Sequence, residues 1–296
     1  MSRSAALATS QVQGPVAVNR SAASPTTRFL AVAGGRIAYD DAGTGPLVLM
    51  LPGLGDLRQE YRHLVPLLIA AGYRAVTMDL RGHGETSAGW ADHGATALAD
   101  DAVALLRHLD AGPATLIGTS MGAAGVAAAA AKAPERVTKI VLVGPFVRDM
   151  PPASGLKAAM LWLMIRIGLV GPWAPAAWLA FYDSLYPGRK PADYAAYRAA
   201  LRASLGEPGR MAALRAMMLA SKADAAALLP AVRAETLVVM GSRDPDFADP
   251  EAEARTVAGL LRGRMTMIDG AGHYPHAELP EETARAILPF IAEGAR

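Results

Sequence analysis

Six short, mostly apolar runs in this chain lack the polar-apolar alternation of a half-solvated strand: Leu47 to Leu51, Ala75 to Met78, Ala114 to Ile117, Ile140 to Val143, Leu237 to Met240 and Met265 to Ile268. A strand can omit that alternation only when both of its faces are covered. Helical patterns separate most of the runs, at Leu57 to Ala71, Thr96 to Leu109, Met121 to Ala133 and Pro250 to Leu261, with a closing helix from Pro280. This order predicts an α/β fold with a mainly parallel central sheet and flanking helices. Upstream, Gly34-Gly35 between two strand patterns predicts an antiparallel hairpin.

The interval between Val143 and Leu237 breaks the rhythm, being far longer than an ordinary connection. Helix-forming stretches fill it, at Leu156 to Ile167, Ala192 to Leu205 and Met211 to Ala220, so residues 147–232 are expected to form an inserted helical cap. The core domain is then 28–146 together with 233–296. Residues 1–27, rich in Ser, Ala and Thr and broken by Pro15 and Pro25, are expected to be a flexible leader without the apolar core of a secretory signal.

Composition narrows the chemistry. At 296 residues and 52% hydrophobic, the chain can bury one large core plus an inserted module. Its 29 Lys and Arg against 27 Asp and Glu are interspersed, so no footprint for nucleic acid is expected. Zero cysteines exclude a thiolate nucleophile, a disulfide framework and a thiolate metal site. No apolar run is long enough to cross a bilayer, and a cytoplasmic location is expected. With no H-x-x-x-H spacing and no G-x-G-x-x-G, neither a metal nor another cofactor is expected.

The strongest local signal is Gly118-Thr119-Ser120-Met121-Gly122, where an apolar strand runs through G-x-S-x-G directly into a small-residue helix. A serine at such a turn is held clear of the sheet, and the Met121 N–H at the helix start can face a developing oxyanion. A serine hydroxyl needs an adjacent base that is itself oriented by a third group. Two later strand patterns end in suitable residues: Asp244 follows Leu237 to Met240, and His273 follows Met265 to Ile268. Asp246, Asp249 and Asp149 are alternative acids, and His276 an alternative base. His83 is read as structural. A histidine base predicts that kcat/KM falls on the acid side with an apparent pKa of about 6 to 7.

These segments, in the order Ser120, Asp244, His273, resemble the α/β-hydrolase superfamily from about Arg28 to the C-terminus. Leu51-Pro52-Gly53-Leu54-Gly55 is similar to that family's oxyanion loop, and Asp79-Leu80-Arg81-Gly82-His83-Gly84 to its D-x-R-G-x-G turn. The resemblance implies an oxyanion hole formed by the backbone N–H groups of Leu54 and Met121, although many members carry His-Gly where this chain has Pro52-Gly53. It also implies hydrolysis of a carboxylic ester or related small acyl compound through an acyl-enzyme. Carbon–carbon hydrolysis, haloperoxidase or lyase chemistry, or slow-turnover ligand binding and signalling, are alternatives on the same fold. The cap is rich in Trp and Met, so an apolar substrate is expected, with Trp162, Met164 and Phe146 as substrate contacts.

Overall fold

The computed structural model describes residues 26–150 and 154–293. The expected leader therefore lies almost wholly outside the described residues. Thr27, at its end, donates to Glu85 at 3.1 Å and accepts from Arg58 at 2.6 Å.

Eight strands, β1 (Arg28–Val32), β2 (Gly35–Ala42), β3 (Leu47–Leu51), β4 (Arg74–Met78), β5 (Ala114–Thr119), β6 (Val137–Val143), β7 (Glu235–Gly241) and β8 (Arg264–Ile268), form one sheet. Their order is β1-β2-β4-β3-β5-β6-β7-β8. β1 and β2 form the antiparallel hairpin, turning through Gly34 at φ 93°, and β2 also pairs antiparallel with β4. Every later pairing is parallel.

Before the long insertion come α1 (Val65–Ala70), α2 (Ala95–Leu109) and α3 (Met121–Lys132). Within it lie α4 (Gly155–Leu163), α5 (Ala174–Ser184), α6 (Tyr194–Leu205), α7 (Arg210–Leu219) and α8 (Ala223–Leu228). After it come α9 (Pro250–Leu260), α10 (Pro275–Glu278) and α11 (Pro280–Ala292). No helix among the described residues is long and apolar enough to cross a membrane.

The missing polar alternation has the cause expected of it. Leu47, Leu49 and Leu51 of β3 join Leu116, Ile140, Leu142, Val238 and Met240 in a core covered by α2, α3 and α9. The intervening Val48 and Met50 join Ile117, Val141, Val143, Leu237 and Val239 in a second core under α1 and α11. Both faces of the central strands are dry, so each position must be apolar.

One helix differs from expectation. The helix expected over Leu57 to Ala71 is a 3-10 turn, Arg58–Tyr61, followed by the shorter α1. Arg58, Glu60 and Tyr61 are buried in that turn, and tertiary contacts to three different loops hold it, overriding local helical periodicity. Inside the insertion, α8 packs on α2 and α3, and Ala225, Leu229 and Val232, all within 147–232, join the first core.

The strand order places β3 beside β5. From β3 the chain moves to β4 on one side, and from β5 to β6 on the other. The crevice beyond the carboxyl ends of these two strands is therefore the topological switch point, where open α/β sheets bind ligands.

Glycines permit this junction to close. A Cβ at Gly122 would lie 2.4 Å from the carbonyl oxygens of both Leu51 and Pro52, neither of which can move without displacing β3. Gly122→Ala is expected to lower the urea midpoint, by about 1–3 kcal/mol or more of stability as for other overpacked sites. Gly259→Ala, in α9 with nothing within 4 Å of the added methyl, is expected to be neutral or stabilising. Equal midpoints for the two variants would contradict this account.

Candidate active site

At the end of β5 the backbone turns sharply into α3. Ser120 adopts φ 53° and ψ −116°, a positive-φ conformation that costs a non-glycine residue on the order of 1–3 kcal/mol. Three hydrogen bonds hold it there. Its N–H donates to Val143 O at 2.9 Å, and its carbonyl accepts from Ala123 N–H at 3.1 Å and Phe146 N–H at 3.3 Å. Gly118 is required beneath the turn, since a Cβ there would stand 2.6 Å from Gly122 O. Tyr61 then bridges two strand ends: its hydroxyl donates to Leu51 O at 2.7 Å and lies 2.8 Å from Thr119 Oγ1.

The loops after β7 and β8 bring together the acid and the imidazole. Asp244 Oδ2 lies 2.7 Å from His273 Nδ1, and both residues are buried. Asp244 Oδ1 accepts the Asp246 N–H at 3.0 Å, and His273 N–H donates to Leu185 O at 3.0 Å. The pair rests on Gly144, just after β6, where a Cβ would stand 3.0 Å from the imidazole and 3.2 Å from Asp244 Oδ2. Gly144 to Phe146 thus lies under the histidine and hydrogen-bonds the serine carbonyl.

The alternative acids have other partners. Asp149 accepts from Ser221 Oγ at 2.6 Å and Lys222 N–H at 2.9 Å, and Asp249 caps α9 by accepting the Ala252 N–H at 2.9 Å. Asp246 stays close, with Oδ2 3.7 Å from His273 Nδ1. Its carboxylate makes the site doubly acidic. Burial opposes charge on His273, but the Asp244 carboxylate, then Asp246 and the hydrogen bond to Asp244, outweigh it and raise the pKa to about 9, above the 6 to 7 expected from sequence. By contrast, burial lowers His276 to about 3 and His83 to about 4. His83 is a packing residue, its Nδ1 2.8 Å from Arg81 O. Asp244, Asp246 and His273 also have the spacing of a cation site, but an ion there would take Nδ1 from Asp244.

The loop after β3 lies against the serine. A Cβ at Gly53 would be 3.4 Å from Ser120 Cβ, and Leu54 is the next residue. Met121 is buried at the start of α3. Phe146 stacks on Phe247 at 4.8 Å, with its ring 6.1 Å from that of His273. Met164 packs against a cluster of Leu169, Trp178, Leu205 and Leu214 that Leu54 also touches. Trp162 is 60% exposed, so the fold does not bring it to this group. A depression of about 370 Å³ near Pro46, Tyr73 and Thr138 lies at the opposite strand ends, away from the serine.

Sequence reasoning missed Asp56 and Glu60, both buried beside the Gly53 loop, and Tyr274, which follows the histidine. On a surface helix these acids would be unremarkable, and no spacing marked them.

The doubly acidic setting gives a test independent of turnover. Because the folded pKa of His273 lies above 6.5, the stability it contributes is fully present below 6.5 and is lost as pH rises through about 9. NMR titration is expected to show an imidazole that deprotonates well above pH 7. Asp246→Asn should lower that midpoint, and Asp244→Asn should lower it further. A midpoint of 6.5 or below in the unmodified protein would contradict the assignment.

The family model for the alpha/beta hydrolase fold matches residues 46–280. A Mycobacterium tuberculosis protein named "Putative non-heme bromoperoxidase BpoC" is 31% identical over 280 residues, covering 86% of this chain and 97% of that protein. The 2-hydroxy-6-oxo-6-phenylhexa-2,4-dienoate hydrolase of Burkholderia cepacia is 28% identical over 277 residues, covering 88% and 92%. The structure of a thermophilic esterase from Thermogutta terrifontis superposes with a TM-score of 0.72 at 25% identity, covering 92% of this chain and 99% of that one. A parallel sheet with its serine turn at the switch point, and a family match over most of the length, lead to one conclusion: the chain belongs to the alpha/beta hydrolase fold family.

Proposed function

We propose that this protein is a serine hydrolase acting on a carboxylic ester or related acyl compound. One observation carries the reading: Ser120 is held at φ 53° at the end of β5, with the buried His273–Asp244 pair, 2.7 Å apart, on loops of the same sheet end. Strained backbone of this kind clusters at active sites, where the surrounding structure holds it in place.

In this reading His273 Nε2 takes the Ser120 proton as Oγ attacks the acyl carbon, while Asp244 holds Nδ1 and stabilises the imidazolium. The N–H groups of Leu54 and Met121 bind the oxyanion. The tetrahedral intermediate collapses, His273 protonates the departing alcohol, and water activated by the same imidazole releases the acid. A serine at the turn forms an acyl ester, not the alkyl ester of relatives with aspartate there. The helices between β6 and β7 act as a cap, and the apolar cluster that Leu54 and Met164 share favours an apolar acyl or alcohol portion. Phe146, its ring 6.1 Å from that of His273, is a further apolar contact for that portion.

A second reading draws on the relative named as a bromoperoxidase. If hydrogen peroxide replaces water in attacking the acyl-enzyme, the product is a peracid, which can oxidise bromide. The nucleophile and base are the same. Bromide- and peroxide-dependent halogenation exceeding ester hydrolysis would favour this reading.

A fluorophosphonate is expected to label Ser120, and Ser120→Ala should remove both labelling and turnover of p-nitrophenyl acetate. Asp244→Asn should lower kcat by roughly 10³ to 10⁴, the cost of a misoriented imidazole. Since only neutral His273 can accept the proton, kcat/KM should rise with pH through an ionisation above the ordinary histidine value. Slow single turnover in place of sustained hydrolysis would point to a ligand-binding protein. Across p-nitrophenyl esters from acetate to octanoate, each buried methylene should add up to about 0.8 kcal/mol of transition-state binding until the pocket fills. Met164→Ala should move the optimum, whereas exposed Trp162→Ala should not. A monotonic fall from acetate would refute an apolar pocket.

A further inference from the structure

Two buried carboxylates beside the Gly53 loop have no part in the proposed chemistry. Glu60 is 1% exposed and Asp56 is fully buried, and both come from the segment that follows β3. Glu60 Oε2 accepts the Gly53 N–H at 2.7 Å, and its other oxygen lies 2.9 Å from His276 Nε2. Asp56 holds the other side of the same residue, its N–H donating to Gly53 O at 3.2 Å. Its side chain reaches outward: Oδ1 accepts from the hydroxyls of Tyr182 at 3.0 Å and Tyr197 at 2.7 Å. Those tyrosines belong to α5 and α6 of the insertion.

The geometry of one peptide links these contacts. Gly53 C=O and Leu54 N–H belong to the same planar trans unit, so they point in opposite directions and cannot reorient independently. Holding the carbonyl through the Asp56 N–H fixes the amide, and Glu60 holds the preceding peptide plane through the Gly53 N–H. We infer that Asp56 and Glu60 are positioning residues for the Leu54 amide, and that Tyr182 and Tyr197 couple its aim to the seating of the helical insertion. The inference rests on the serine-hydrolase reading, in which that amide is an oxyanion donor.

Two further contacts agree with a built junction. The Trp178 indole of α5 covers Gly55, where a Cβ would stand 2.5 Å from the ring. Arg62, at the end of the 3-10 turn, pairs with Asp193 of the insertion at 2.8 and 2.9 Å. Among the described residues no cation pairs with Asp56; the hydroxyls of Tyr182 and Tyr197 are its partners, and burial raises its pKa to about 8. Asparagine is therefore a close mimic of the side chain that sits there.

The test uses the full-length protein with p-nitrophenyl acetate and a short alkyl trifluoromethyl ketone, whose serine adduct carries an oxyanion. Tyr182→Phe/Tyr197→Phe is expected to lower kcat and ketone affinity about tenfold or more, part of the 10²- to 10³-fold seen when an oxyanion donor is lost outright, with KM nearly unchanged. Glu60→Ala and Asp56→Ala should act in the same direction, and Glu60→Gln and Asp56→Asn, which keep the acceptor oxygen, should restore most of the loss. Should the double variant unfold, Tyr197→Phe alone must still lower kcat and ketone affinity together. Wild-type kcat in both tyrosine variants, or a change confined to KM, would overturn the coupling. A wild-type protein that forms no fluorophosphonate adduct at Ser120 would instead overturn the hydrolase reading, and the inference with it.

Discussion

The contact of Gly122 with the end of β3 governs the rest of the site. Backbone meets backbone there, with room for hydrogen alone between the start of α3 and the carbonyls of Leu51 and Pro52. That approach brings the Ser120 turn against the Gly53 loop and leaves β5 little distance in which to reverse into its helix. Ser120 takes its positive φ at this junction. Interiors packed this closely do not yield by small shifts, so the strain is retained.

Around that contact the molecule spends stability on buried polar groups. From a single 3-10 turn, Arg58 pairs with Asp79 at 2.6 Å, Glu60 holds the Gly53 amide, and Tyr61 joins the ends of β3 and β5. Each of these groups would be cheaper in water. Buried polar groups are tolerated when their hydrogen bonds are made, and here they secure three separate loops relative to one another. An apolar turn could fill the same volume without specifying which carbonyl faces which amide.

The insertion is joined to the main domain in two physically different ways. Through α8 it shares the apolar core beneath the sheet. Through Tyr182, Tyr197 and Asp193 it is bound by directional hydrogen bonds to the segment after β3. The first anchors it without orienting it, since apolar burial has no preferred direction. The second sets its orientation.

The fold class was legible in the sequence because its signal is local. Runs such as Leu47 to Leu51 lack alternation whatever their neighbours, and G-x-S-x-G followed by small residues marks a strand-to-helix turn within nine positions of the chain. The same locality placed Asp244 and His273 just beyond strand ends. Sequence could not choose among Asp244, Asp246, Asp249 and Asp149, because all follow strands and the choice depends on which oxygen lies 2.7 Å from an imidazole 29 residues away. Nor could it find Glu60, whose helical context predicts a solvated side chain but whose actual partner is the Gly53 amide. Trp162 carried the composition of a pocket residue and stands in the open. Periodicity and spacing along the chain determined the sheet, its order of chemistry-bearing loops and the serine turn. Only the tertiary structure decided burial and partner, because these arise between segments that meet through space and leave no period in the chain.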